Sequence, residues 1–169
     1  MQQDFMCEPL ILNSTGLTVE AHQELTTSNY LALSEALQGS GLYVMAVIQG
    51  FAPEQYAAHV RDLSPHLETG AWVGVGSVCK RQGQPALLSA ILTAILRERE
   101  DLKLHGFGVK TTALQKADIS ERFHSVDSMA WSYAGRRMVP AQTHSATFCK
   151  EWTARVSNCD IQPSQSALL

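Results

Sequence analysis

Asp127 sits inside an otherwise apolar run, FHSVDSMAWSYAGRR over residues 123–137, and a paired guanidinium, Arg136 and Arg137, closes that run. A carboxylate buried without partners costs several kcal/mol, so it is either tied down by hydrogen bonds or held for chemistry. The plainer alternative is a turn or capping aspartate that binds backbone N–H groups, with Ser125 and Ser128 flanking it as in many caps. Two more segments end in a similar way. AWVGVGSVCKR (71–81) and LKLHGFGVK (102–110) each run as an apolar strand into glycines and then a basic residue. That pattern suits backbone approaching a ligand closely, and it equally suits Gly74, Gly76, Gly106 and Gly108 admitting tight strand-to-loop packing. Cys79 lies beside Lys80 and Arg81, whose charges would lower a thiol pKa. No histidine partner is assigned by spacing, so a buried or loop cysteine is the simpler reading.

Elements that position these residues follow from hydrophobic patterning. Strands are expected at 43–48 (YVMAVI, continuous and partly β-branched), 72–78, 103–109 and 125–131, with a possible fifth at 10–13. Helices are expected at 18–38, 53–67 (opened by Pro53), 85–99, 111–123 and 146–157. In the first of them Val19, Leu25, Tyr30, Leu33 and Leu37 fall on one side. Strands alternating with helices imply right-handed βαβ units and a parallel sheet, hence an α/β fold. Gln49-Gly50, Gly76-Ser77, Gly108 and Lys110 then fall at or just past the carboxyl ends of strands, the edge where parallel α/β folds bind ligands. Pattern alone leaves open an open doubly wound sheet or part of an eight-stranded barrel. Neither a GxGxxG fingerprint nor a Walker GxxxxGK[ST] is present.

Composition excludes little. The chain has 169 residues, 45% hydrophobic and 17% charged, enough for one ordinary core. A net charge of -3 supplies no general basic field, so a polynucleotide would have to be gripped locally, by Lys80/Arg81 or Arg136/Arg137. No run of about 18 apolar residues is long enough for a membrane span. MQQDFMCEP lacks the regions of a signal peptide, and a cytoplasmic location is expected. Cys7, Cys79, Cys149 and Cys159 form no CxxC pair and read as reduced thiols. His22, His59, His66, His124 and His144 read as surface or helix residues, and Trp72, Trp131 and Trp152 as core or rim packing. One folded unit over 1–160 and a frayed tail at 161–169 are expected.

Taken in order, QQDFMCEP, AVIQGFAPEQYAAHVRDL, VGVGSVCKR, LHGFGVK and SVDSMAWSYAGRR resemble the tRNA-guanine transglycosylase superfamily. The likeness is closer to its branch that inserts 7-deazapurines into DNA, and it spans roughly residues 3–137. The resemblance implies a partial (β/α)₈ TIM-type barrel, from the end of about the fourth strand to the eighth helix. The family's glycine-rich DSGGF-type segment, with its general-base aspartate, has no counterpart in the sequence. A truncated chain, a split product and a degenerate relative that depends on a partner are all compatible with that. The family's zinc module is also missing: His144, Cys149 and Cys159 have the wrong spacing, and no metal or cofactor is expected.

Carried over residue by residue, Asp127 matches the family nucleophile that attacks C1′ of the target nucleoside. Asp4 matches the acid that accepts the base's amide and amino protons, and Gln49 adds an amide to its carbonyl edge. Gly76 and Ser77 would offer backbone groups, His105 and Gly106 would line the flat face of the base, and Arg136 and Arg137 would meet the nucleic-acid backbone, beside the Lys80/Arg81 cluster that the charge balance singles out. The implied partners are DNA or tRNA, a 7-deazaguanine base, and a second chain or oligomer mate covering exposed strand edges. Rival readings are a non-catalytic purine-binding or assembly subunit, and an unrelated α/β enzyme whose GVGSVCKR loop binds phosphate.

Overall fold

Four short strands, β1 (Ala46–Ile48), β2 (Trp72–Val75), β3 (Lys103–Gly106) and β4 (Ser125–Val126), form an all-parallel sheet whose spatial order is the chain order. The structure, a computed structural model, describes residues 4–79, 81, 83–127, 150 and 153–154. Two helices, α1 (Pro9–Thr15) and α2 (Val19–Ala36), precede β1. The crossovers are α3 (Pro53–Leu63) with a 3₁₀ turn at Ser64–His66, then α4 (Pro85–Glu98), then the single turns α5 (Thr111–Leu114) and α6 (Ala117–Ser120).

Proline at the first turn starts both long crossover helices, where a missing N–H costs nothing. Gln55 Oε1 accepts from the N–H groups of Phe51 (3.0 Å) and Ala52 (2.9 Å), closing the entry to α3. Tyr56, Val60 and Leu63 of α3, and Leu88, Ile91, Leu92 and Ile95 of α4, repeat at helical spacing and are fully buried. Each such leucine or isoleucine contributes about 1.5–3 kcal/mol relative to exposure, so these faces anchor strands too short to hold themselves. They pack on Ala46, Ile48, Val73, Val75 and Leu104, the residues that one face of the pleat presents. The opposite face carries the row Val47, Gly74, His105 and Ser125, aligned by the strand register.

Several sequence expectations are corrected. Residues 10–13 are helical within α1, framed by Pro9 at the start and Gly16 at φ +69 past the end. The buried face of α2 is Val19, His22, Gln23 and Thr26, while Leu25 is exposed. The i, i+3, i+4, i+7 spacing is kept there with polar residues, which an apolar scan overlooks. Strand pairing starts at Ala46 and not Tyr43 because the Tyr43 hydroxyl takes the place of backbone. It accepts from the Trp72 N–H (2.9 Å) and donates to the Trp72 carbonyl (3.0 Å). β2 and β3 end early because Ser77 (φ +56) and Gly108 (φ +65) turn the chain into the left-handed region. The expected helix at 111–123 is two turns separated by an extended Lys116 (φ -94, ψ 115), which no residue of the segment announces.

The end of the expected strand at 125–131, the helix at 146–157 (Lys150 itself is helical) and the tail lie largely or wholly outside the described residues. Among the described residues no helix is long and apolar enough to cross a membrane.

Candidate functional site

At the carboxyl edge of the sheet, residues from the start of the chain and from the first two strand ends lock into one hydrogen-bonded chain. The Cys7 N–H donates to Ser77 Oγ (2.8 Å), and Ser77 Oγ donates to Gln49 Oε1 (2.6 Å). Gln49 Nε2 in turn donates to Asp4 Oδ2. Its polarity is fixed at the backbone end: an amide N–H can only donate, so the single Ser77 proton goes to Gln49, whose NH₂ group must face Asp4. Burial raises the Asp4 carboxyl above its ordinary value, while its backbone and Gln49 hydrogen bonds lower it. Burial first, and the charges of Glu20 and Asp4 after it, push the Cys7 thiol up to about 12. Cys7 is therefore a protonated spacer and no nucleophile.

A second layer holds Gln49 by its backbone. Its N–H donates to His59 Nδ1 (2.8 Å), and its carbonyl accepts from Gln23 Nε2 (2.7 Å), which also donates to the Gln55 carbonyl (2.9 Å). Because Nδ1 accepts, the His59 proton sits on Nε2, 3.0 Å from Thr27 Oγ1. Burial lowers the His59 pKa to about 4, keeping the ring neutral. The polar face of α2 also ties down the chain start: Thr26 Oγ1 accepts from the Phe5 N–H (2.9 Å), and His22 Nδ1 meets the Met6 carbonyl (2.8 Å). His22, Gln23, Thr26 and His59 carry no motif, yet each falls at helical spacing with the buried residues of its own helix.

Gly76 and Gly106 are filled by protein. An added Cβ at Gly76 would run into the Gln49 amide, and one at Gly106 into Val109 and Phe123. The Gly76 N–H already donates to the Ile48 carbonyl (2.9 Å), and its own carbonyl accepts from the Tyr56 hydroxyl (2.8 Å). Gly74 likewise makes room for the Phe107 ring. The packing reading thus accounts for all three of these glycines. His105, half-buried, meets Ser125 Oγ through Nδ1 (2.7 Å) and turns edge-on to Phe107 with centroids 5.0 Å apart.

Asp127 lies one residue past β4, at the same edge as Gln49 and Ser77. Its N–H donates to the Gly106 carbonyl (3.2 Å), extending the ladder, and its exposed carboxylate accepts from the Gly108 N–H at 2.5 Å through Oδ1. The side chain therefore turns toward the glycine-containing loop after β3. Arg81 is buried, with 7% of its surface exposed. Its Nε donates to the Ser77 carbonyl (3.2 Å) and its guanidinium lies 4.3 Å from the Phe51 ring centroid. Lys80, Arg136 and Arg137 lie outside the described residues. Among the described residues no cluster of three or more His, Cys, Asp or Glu could hold a metal ion.

Ser77 is the keystone of the chain of bonds, and its left-handed backbone costs about 1–3 kcal/mol that its side-chain bonds offset. Ser77→Ala removes a donor and an acceptor at once, leaving the Cys7 N–H and Gln49 Oε1 without it. A loss of about 2 kcal/mol in urea unfolding is expected. A loss below about 0.5 kcal/mol would show that the chain of bonds contributes little to the fold.

The model of the family DpdA, DeoxyPurine in DNA protein A, matches residues 1–165. No curated protein matches the chain. A match over nearly the whole sequence settles the relationship: the chain belongs to the DpdA family, DeoxyPurine in DNA protein A.

Proposed function

We propose that this chain takes part in placing a 7-deazapurine in DNA by base exchange, with Asp127 as nucleophile, within the transglycosylase superfamily. The observation that carries the reading is the placement, along one sheet edge, of an acid–amide pair, Asp4 and Gln49, and of a carboxylate at the last described strand end, Asp127. The Gln49 amide and the Asp4 carboxylate present a donor beside an acceptor, a pairing that suits the carbonyl and N–H edge of guanine. Asp127 Oδ attacks C1′ of a deoxyguanosine, the C1′–N9 bond breaks, and guanine leaves. The glycosyl ester is then opened by N9 of the incoming deazapurine, which frees the carboxylate and restores configuration by a second inversion.

Sheet order supports a barrel sector. A doubly wound sheet reverses strand order at a switch point, whereas β1 to β4 run in sequence with their core-forming helices on one face. β1 and β4 are three strand spacings apart, about 14 Å along the sheet. Asp4 and Asp127 therefore address one nucleoside only across a curled sheet, as in a barrel. On this reading another part of the barrel supplies the general base that receives or gives up the purine proton. Lys80, Arg136 and Arg137 meet backbone phosphate, and His105 lies along the base.

One observation favours a second reading, a non-catalytic purine-binding or assembly subunit: the Asp127 carboxylate already serves the Gly108 N–H. Both readings are tested by incubating the chain, alone and with its complementing partner, with DNA carrying labelled guanine and free 7-deazaguanine. Base exchange releases labelled guanine and leaves a strand linked to protein on a denaturing gel. Binding of 7-deazaguanine with neither product assigns the subunit role, and indifference to purines overturns both.

A further inference from the structure

Among the described residues Ser77 alone holds a left-handed backbone without being glycine, at φ +56. A serine kept where the main chain favours glycine points to a task for its side chain. That hydroxyl is engaged at both ends: Oγ accepts from the Cys7 N–H and donates to Gln49 Oε1, and Gln49 Nε2 donates to Asp4. The root and the tip of this chain of bonds lie in one short stretch, residues 4–7, so the backbone itself closes the circuit. Cys7, Ser77 and Gln49 are buried, while Asp4 keeps part of its surface open. The polarity set at Cys7 is therefore read out at Asp4. A carboxylate has about four acceptor sites. Its own backbone N–H and the Gln49 amide engage Asp4 already, leaving about two for a ligand.

We infer that Ser77 determines which base is accepted without touching it: its hydroxyl locks the Gln49 amide so that Asp4 meets a ligand as an acceptor only. The site then takes a purine edge with two adjacent N–H donors and refuses one that brings a carbonyl to Asp4. The inference rests on the base-exchange reading above. Direction is what the lock supplies. With the amide turned over, Gln49 Oε1 would face the Asp4 carboxylate, acceptor against acceptor, and the carboxyl would have to take up a proton to bridge them. A protonated Asp4 is a donor, and a donor tolerates a carbonyl. The Ser77 proton on Oε1 holds the amide against that turn, which makes Ser77 a positioning residue that acts through Gln49 and Asp4.

The test is calorimetric binding of 7-deazaguanine and of 7-deazaxanthine, which has a carbonyl in place of the amino group, to the full chain as wild type, Ser77→Gly and Ser77→Ala. Wild type prefers 7-deazaguanine by about a hundredfold, and both variants lose about tenfold of that preference. Glycine suits the left-handed backbone, so Ser77→Gly removes the hydroxyl while keeping the turn, and melts closer to wild type than Ser77→Ala. A merely structural Ser77 predicts a different pattern: Ser77→Gly binds as wild type, and any loss in Ser77→Ala falls on both bases alike, leaving their ratio unchanged. A folded Ser77→Gly with the wild-type ratio overturns the inference and leaves the base-exchange reading standing. So does a wild type that binds the two bases within about threefold of each other. A wild type that binds neither base overturns that reading and the inference with it.

Discussion

Asp127→Asn is expected to lower guanine release by on the order of a thousandfold or more and to abolish the protein-linked strand, with little change in stability. The two arms come apart because of what the carboxylate touches. Oδ1 accepts a single backbone N–H, that of Gly108, and the oxygen of an asparagine amide accepts the same bond. Asparagine also replaces aspartate well wherever the role is to cap or to hold a turn. A structural Asp127 therefore predicts a variant indistinguishable from wild type in both melting and exchange. A nucleophilic one predicts normal melting with the chemistry gone, since an amide oxygen does not form the glycosyl ester. Exchange within about tenfold of wild type would remove Asp127 from the reaction.

Acid should loosen the site through His59. In the fold this ring titrates at about 4, against an ordinary 6.5, because burial disfavours the imidazolium. Between those values the unfolded chain binds a proton that the folded one does not, so unfolding is drawn forward as pH falls. The contribution is fully present above about pH 6.5 and shrinks on the way down, the loss reaching about 3 kcal/mol by pH 4. Protonation of the folded ring, around pH 4, turns Nδ1 from acceptor to donor and breaks its bond with the Gln49 N–H, so purine binding should fall near that pH. Asp4, whose carboxyl is raised by burial, acts in the opposite direction at acid pH. The comparison with His59→Gln isolates the histidine. Glutamine can accept from Gln49 and donate to Thr27, and should remove the excess acid sensitivity between pH 6.5 and 4. Equal acid sensitivity of the two proteins in urea titrations would refute the assignment.

Much of the frame is legible in the residues themselves. Tyr56, Val60 and Leu63, then Leu88, Ile91, Leu92 and Ile95, announce two helices, and the apolar run ending in Gln49-Gly50 announces where the first strand stops. Periodicity of apolar residues reads what packs by exclusion of water, and it reads that well. It is blind to burial sustained by hydrogen bonds. His22, Gln23, Thr26 and His59 are buried at helical spacing because each finds a partner in a residue distant in sequence or in its own preceding turn, and no local window contains those partners. The glycines show the same limit from the other side. Gly74 and Gly76 are marked in the sequence as places of close approach, but only the fold tells that Phe107 and the Gln49 amide make the approach.

Asp4, Gln49, Ser77 and Asp127 are each contributed by a different segment, and the first of them is held in place by α2 and by the ends of β1 and β2. No two successive elements supply all four residues, so the proposed site cannot be rehearsed in a partly folded chain. The entropy of joining distant parts has to be met before any of these polar bonds form. On the proposed reading, recognition competence is expected to arrive late in folding, with the docking of the first few residues.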